Sequence, residues 1–274
     1  MMKTSLSGIT AASRDLSAIS NNLANALTNG FKRSTAQFND VMGSSASERP
    51  GADIGLGALT IGIRRNQTQG TIETTDNALD LAINGDGYFT FREPNTEGEP
   101  MYVYSRSGKL TIGNDGNLTD QNGRLLMGLG VSANGTVIST APTPIDLKMA
   151  AGGNLNNVAS LTIDAKGVIT MTRTDGLQKT VAAVALAHFT NPEALKSQTG
   201  SVLSESDQSG PADFKSAGIQ GMGNIQQGAL EGSNVDLTGE MLHMIQAQQA
   251  YNGNARALQT SSEMLRSAIE NLTK

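Results

Sequence analysis

The chain of 274 residues contains no cysteine and no tryptophan, and its aromatic residues are six Phe and four Tyr. Without cysteine there is no disulfide framework, no thiolate metal site and no cysteine nucleophile. With so few large anchors and 31 glycines, the composition points to extended, repeating surfaces rather than one deep aromatic-lined pocket. Histidine is nearly missing too. His188 and His243 stand alone, with no HxxxH or HExxH spacing. That gives no support to a histidine metal site or a Ser-His-Asp triad, and each histidine is read as structural or solvent-facing.

Charge is sparse: 16% of residues are charged, for a net charge of −5. The densest basic spots are the pairs Lys32-Arg33 and Arg64-Arg65, so there is no footprint for nucleic acid or an anionic membrane. No window approaches eighteen apolar residues, the length a membrane-crossing helix needs. Behind Met1-Met2-Lys3, residues Gly8, Thr10, Ser13, Arg14 and Asp15 interrupt any apolar run of signal-peptide length, so no cleaved signal is expected. Asn84-Gly85-Asp86-Gly87 and Asn114-Asp115-Gly116-Asn117 lack the glutamate and flanking helices of a calcium loop; they are turn chemistry. Gly55-Leu56-Gly57 sits in no strand–loop–helix unit that would bind a dinucleotide. No cofactor, metal or catalytic group is expected.

What is present is concentrated at the ends. Leu237, Met241, Met244, Gln248, Tyr251, Ala255, Leu258, Ser262, Leu265, Ile269 and Leu272 recur at alternating spacings of four and three. This is a heptad seam, with Gln, Asn, Arg and Glu on the other face. A helix over this span is roughly 50 Å long at ~1.5 Å per residue and needs a helical partner. Leu6, Ile9, Ala12, Leu16, Ile19, Leu23 and Ala26 supply one, in a helix from about Thr4 to Leu27 stopped at Thr28-Asn29-Gly30, where Gly30 can take a left-handed C-cap. Asn21, Asn22 and Asn25 are poor helix formers, which implies partners for their amides. Gly239 and Gly253, at ~1 kcal/mol each relative to Ala, weaken the reading of one continuous C-terminal rod.

Between the ends the helical period disappears. Phe31 to Met42 is open between a short helix and a strand, residues 43–60 read as a loop or linker, and Gly70 to Thr75 reads as extended. From Leu79 to Phe189 short β signals dominate. Leu79, Leu81 and Ile83 run to the Asn84–Gly87 turn and Tyr88–Phe91, a hairpin signature. The phrase Leu110-Thr111-Ile112, turn, Asn117-Leu118-Thr119 returns as Leu161-Thr162-Ile163, turn, Val168-Ile169-Thr170. Val181 to Phe189 is apolar enough to be central. Ser233-Asn234-Val235-Asp236 offers N-caps for the last helix.

Several of these stretches together resemble one family. Asn21-Asn22-Leu23-Ala24-Asn25-Ala26-Leu27-Thr28-Asn29-Gly30-Phe31-Lys32 is similar to the N-terminal signature of bacterial flagellar basal-body rod and hook proteins. Glu231 to Asp236, Glu240-Met241, Met244 to Gln248, Tyr251, Asn254 and Ala255 resemble that family's C-terminal motif. Gly55-Leu56-Gly57, Gln69-Gly70, Leu79 to Ile83, Gly87-Tyr88-Phe89 and Tyr104 to Gly108 look like its β region.

The resemblance implies an α+β, mainly β, fold. A discontinuous terminal α-helical coiled-coil domain would accompany a central antiparallel β domain. The parts are 1–42 (N-terminal helical part), 43–78 (linker), 79–232 (β-rich domain) and 233–274 (C-terminal helix).

It implies a structural, non-enzymatic subunit that polymerises helically into the basal-body rod and transmits torque, or else a short hook subunit. Its partners would be itself, other flagellar axial proteins and the export apparatus, with no nucleic acid and no small-molecule substrate. Export would need no cleaved signal, and the place would be the flagellar basal body.

The assembly residues would be Leu6, Ile9, Leu16, Ile19, Asn22, Leu23, Asn25, Gly30 and Phe31. On the C-terminal helix they would be Leu237, Met241, Met244, Gln248, Tyr251, Leu258, Leu265 and Ile269. Isolated seams of this kind are expected to order only when a partner buries them. The readings from other classes are a secreted β-rich polysaccharide hydrolase and a surface adhesin or binding module.

Overall fold

A computed structural model describes residues 2–42, 55–94, 101–132, 135–153, 158–219 and 221–272. The chain divides into two compact units, one of Met1–Ala26, Arg33–Asn66 and Val235–Lys274, the other of Leu27–Lys32 and Gln67–Asn234.

The first unit holds both long helices. The N-terminal helix spans Met2–Ala24 and the C-terminal helix Leu237–Leu272. Asp236 starts the second: its carboxylate accepts the Thr238 amide at 3.1 Å and its carbonyl the Glu240 amide at 2.9 Å. The helix passes through Gly239 and Gly253 without a break, so two glycines do not outweigh the remaining good helix formers over 36 residues.

Phe31 to Met42 resolves as a strand, Ser34–Met42, and its partner Gly55–Arg65 pairs antiparallel from Ser34 opposite Arg65 to Met42 opposite Gly55. The loop reading of 43–60 is therefore corrected at 55–60. Gly55, Gly57 and Gly62 mask this strand in the sequence, and 43–54 lies outside the described residues. The ribbon carries irregularities at Gln37/Phe38 and Asp40/Met42, which add local twist.

The second unit is antiparallel β. Asp80–Asn84 and Tyr88–Arg92 are both strands, as expected, but they do not pair with each other. Asp80–Asn84 pairs with Asn224–Gln227 and Gly108–Lys109; Tyr88–Arg92 pairs with Tyr102–Ser105, Leu125–Leu129 and Leu186–His188. Buried residues lie on both faces of each strand, so each is flanked by neighbours of its own. Asn84–Gly87 is a corner between sheets, turned at Gly85 (φ 115°) and Gly87 (φ 125°).

The two repeated phrases are hairpins in matching register, Ile112 opposite Leu118 and Ile163 opposite Ile169. Gly116 (φ 84°) and Gly167 (φ 76°) occupy the same turn position. The apolar run from Val181 becomes two consecutive strands, Gln178–Val184 and Leu186–His188. Leu81, Phe89, Phe91, Leu126, Val184 and Leu186 are fully buried in the core.

Candidate assembly surface

Within the first unit the two helices pair by small residues and one buried polar cluster. Asn22, 1% exposed, donates to Glu240 Oε2 at 3.2 Å. It also donates to the Ser34 carbonyl at 2.7 Å and accepts the Ser34 amide at 2.8 Å. Glu240, also 1% exposed, is ion-paired with Arg33. A buried amide with its hydrogen bonds made is well tolerated where an unpaired one is not, which accounts for an asparagine inside a helix.

Further along, a side chain on Gly8 would start 2.7 Å from the Asn254 amide nitrogen. From Asn22 to Gly8 the first helix runs back fourteen residues, and from Glu240 to Asn254 the second runs forward fourteen. The helices are therefore antiparallel. Ala12, Ala18, Ile19 and Ala247 are buried along the contact. Asp15 has its carboxyl pushed above the ordinary 3.8, first by burial and then by the Glu240 carboxylate, against the pull of His243 and Arg33.

The structure corrects which face of the C-terminal helix meets the N-terminal one. The inward stripe is Glu240, Met244, Ala247, Asn254, Leu258 and Ser261, all buried or half-buried. The seam read from the apolar residues shares Met244 and Leu258 with it, Ala255 is half-buried, and the other described members stay exposed. Leu237 is 41% exposed, Met241 50%, Tyr251 39%, Leu265 50% and Ile269 60%; Gln248 is exposed as well.

Burying Glu240 against Asn22 and Arg33 fixes the helix rotation, and the heptad frame beginning at Leu237 is turned out by it. On the N-terminal helix Ile9, Leu16, Leu23 and Asn25 are half-buried, Ile19 is buried, and Leu6 remains 55% exposed. The pair is formed within one chain and leaves an unfilled outer face. Leu242 and Ile245, outside the seam, extend that face at 55% and 52% exposed. Apolar patches of this kind on a monomer mark interaction surfaces.

Gly30, Phe31 and Lys32 lie in the second unit. Gly30 is no helix cap, since the helix ends at Ala24. At φ +69° it brings its backbone against Arg106 and Ser107, where a Cβ would fall 2.6 Å from the Arg106 carbonyl carbon. Its amide donates to the Glu231 carbonyl at 2.7 Å. Phe31 is half-buried and accepts the Asn234 amide on its carbonyl at 3.3 Å.

The Glu231 carboxylate, fully buried, takes Lys32 Nζ at 2.5 Å, the Gly70 amide at 3.0 Å and Arg106 Nη1 at 3.4 Å. Arg106 also lies over the Tyr88 ring, 5.1 Å from its centroid. Burial lowers the Lys32 ammonium from its usual range, and Glu231 opposes that shift. Sequence reasoning quoted these residues as motif letters without finding this hub, because its members lie up to 199 positions apart.

Among the described residues no group of three His, Cys, Asp or Glu side chains could hold a metal ion, and no helix is long and apolar enough to cross a membrane.

Three family profiles match the chain. Residues 2–32 match "Flagella basal body rod protein", 82–171 "Flagellar hook protein FlgE/F/G D1 domain" and 226–271 "Flagellar basal body rod FlgEFG protein C-terminal". The flagellar basal-body rod protein FlgG of Buchnera aphidicola subsp. Baizongia pistaciae is 32% identical, covering 94% of each chain. The chain belongs to the flagellar rod and hook protein family. It is a structural axial subunit and not an enzyme. The FlgG protein of Caulobacter vibrioides is 30% identical over 98% of each chain. The flagellar hook protein FlgE of Escherichia coli is 24% identical, covering 96% of this chain and 98% of its own length. That last alignment runs over 404 positions against 274 residues here, so the hook protein carries long insertions relative to this chain.

Proposed function

We propose that this chain is a subunit of the basal-body rod that polymerises helically through its terminal helices and transmits torque along the flagellar axis. The observation that carries this reading is the exposed apolar group Leu237, Met241, Leu242 and Ile245 on a helix whose inward stripe is already satisfied. A hydrophobic face left over after intramolecular pairing is what a tube of packed helices buries. The terminal segments 1–42 and 233–274 form the assembling part as a coiled coil, and 79–232 is the β-rich domain. Export proceeds through the flagellar export apparatus. Other axial proteins meet the rod at its two ends.

A short hook subunit is the second reading, favoured by the match to a hook protein along nearly the whole chain. The length of the chain favours the rod. Electron microscopy of basal bodies from cells lacking this chain separates the two. A rod subunit leaves basal bodies with a missing or shortened rod and no hook. Complete rods bearing no hook would assign the chain to the hook instead.

A further inference from the structure

The β unit carries a cavity that polymerisation does not call for. It measures about 380 Å³, within the range of small-ligand clefts. Its wall comes from residues 27–29, from Ser105, Ser107 and Lys109, and from two turns at 120–122 and 200–201. Hydrogen bonds hold these stretches together. Asp120 Oδ1 accepts the Asn122 and Arg124 amides at 2.8 and 2.9 Å, and its Oδ2 accepts Arg124 Nη1 at 3.3 Å. Arg124 Nη2 donates to the Thr199 carbonyl at 3.1 Å, which ties one turn to the other. Ser105 Oγ donates to the Ser201 carbonyl at 3.3 Å and accepts the Ser107 amide at 3.1 Å.

Many of the side chains in the wall are not used by the fold. Those of Asn29, Ser107, Lys109, Gln121, Asn122 and Ser201 make no hydrogen bond or ion pair with any described residue. Hydroxyls and carboxamides both donate and accept, which is the mixed demand of a ring bearing adjacent hydroxyls. A peptide calls instead for an open strand edge or apolar side-chain pockets. Leu27 is the single apolar side chain among the lining residues; at 92% exposed it can cover the C–H face of one ring. Charge selects further. Asp120 is the one carboxylate in the wall, and both its oxygens are engaged by Arg124 and turn amides. Lys109 is therefore the one uncommitted charge of the lining.

Ser201 points the same way. It is the single described non-glycine residue at positive φ, 57°, next to Gly200 at 87°. Glycine would sit there without strain, so what serine adds at this position is a hydroxyl in the cavity wall.

We propose that this cavity binds an acidic saccharide, with the sugar carboxylate on Lys109 and its hydroxyls on the carboxamides of Asn29, Gln121 and Asn122. The site holds the sugar and does not cleave it. Glycoside hydrolysis uses a pair of available carboxylates, and the wall supplies one that is already committed. The binding is independent of the place of the chain in the axial structure, and its failure would leave the rod reading standing.

The test is isothermal titration calorimetry of the full-length chain at low ionic strength with three probes: digalacturonate, maltose and acetylated diglutamate. Digalacturonate is expected to bind about fivefold more tightly than maltose, through one exposed ion pair, and diglutamate more weakly than either. Lys109→Met should bring digalacturonate down to the maltose level and leave maltose unchanged. Asn122→Ala should weaken both sugars about fivefold by removing a hydrogen-bonding amide. Both positions are exposed, so these variants should keep the unfolding midpoint of the unmodified chain. Ser201→Gly should raise that midpoint while weakening both sugars, a combination that a purely structural serine would not give. The absence of binding heat from either sugar, or full binding retained in Lys109→Met and Asn122→Ala, would overturn the proposal. Maltose bound as tightly as digalacturonate would overturn the role of Lys109. Diglutamate bound as tightly as digalacturonate would overturn the saccharide assignment in favour of an acidic peptide.

Discussion

At the residue scale, two carboxylates organise the regions around them. Glu231 is fully buried and holds two cations and a backbone amide. A buried ion pair adds little over an apolar replacement of both partners, but removing one partner strands the other. Glu231→Ala is therefore expected to destabilise the β unit by about 3–5 kcal/mol, read as a lower urea midpoint of its slow-exchanging amides. Lys32→Met together with Glu231→Leu should recover part of that loss.

Asp15 gives a pH signature. Its carboxyl is raised in the folded protein, so the helix pair binds a proton more tightly than the unfolded chain. The resulting stability is fully present below the ordinary value of 3.8 and is lost as pH rises through the raised one. Amide protection of the N-terminal helix should accordingly increase on acidification through that window, and Asp15→Asn should flatten the dependence.

Part of this was legible beforehand. Three asparagines in five residues implied partners, and Asn22 has them. The hub around Glu231 was not legible, because a single buried glutamate leaves no periodic mark in a sequence.

At the element scale the helices and the repeated hairpins could be read because their signals are local. The turn glycine of a hairpin (Gly116, Gly167) and an apolar period need only neighbours to declare themselves. Pairing could not be read the same way. Asp80–Asn84 and Tyr88–Arg92 carry every mark of a hairpin, yet their hydrogen-bond partners lie elsewhere in the chain. The strand Gly55–Arg65 was hidden by Gly55, Gly57 and Gly62.

The rotation of the C-terminal helix was misread for a related reason: apolar residues were assumed to face the nearest partner. Small and polar residues, Glu240, Ala247, Asn254 and Ser261, share that contact with Met244 and Leu258. Ala247 is 6% exposed at that contact and Ala250 is exposed on the same helix. Ala247→Leu should cost the helix pair about 1–3 kcal/mol by overpacking, seen as faster amide exchange across Met2–Ala24. Ala250→Leu should leave that exchange unchanged.

At the scale of the whole molecule the account makes one demand, that the outward apolar face of the C-terminal helix be covered by other copies. Family membership was legible from separate motifs spread along the chain in order. The direction in which the seam points was not, because it follows from the burial of Glu240 rather than from the seam itself. The most direct measurement is sedimentation and electron microscopy of the purified full-length chain beside Met241→Asp/Ile245→Asp. Both positions are half exposed in the single chain, so the variant should keep its fold, with unchanged amide protection in the β unit. The account predicts helically ordered polymers from the unmodified chain and monomers from the variant. Polymers of equal yield and order from the variant would contradict it.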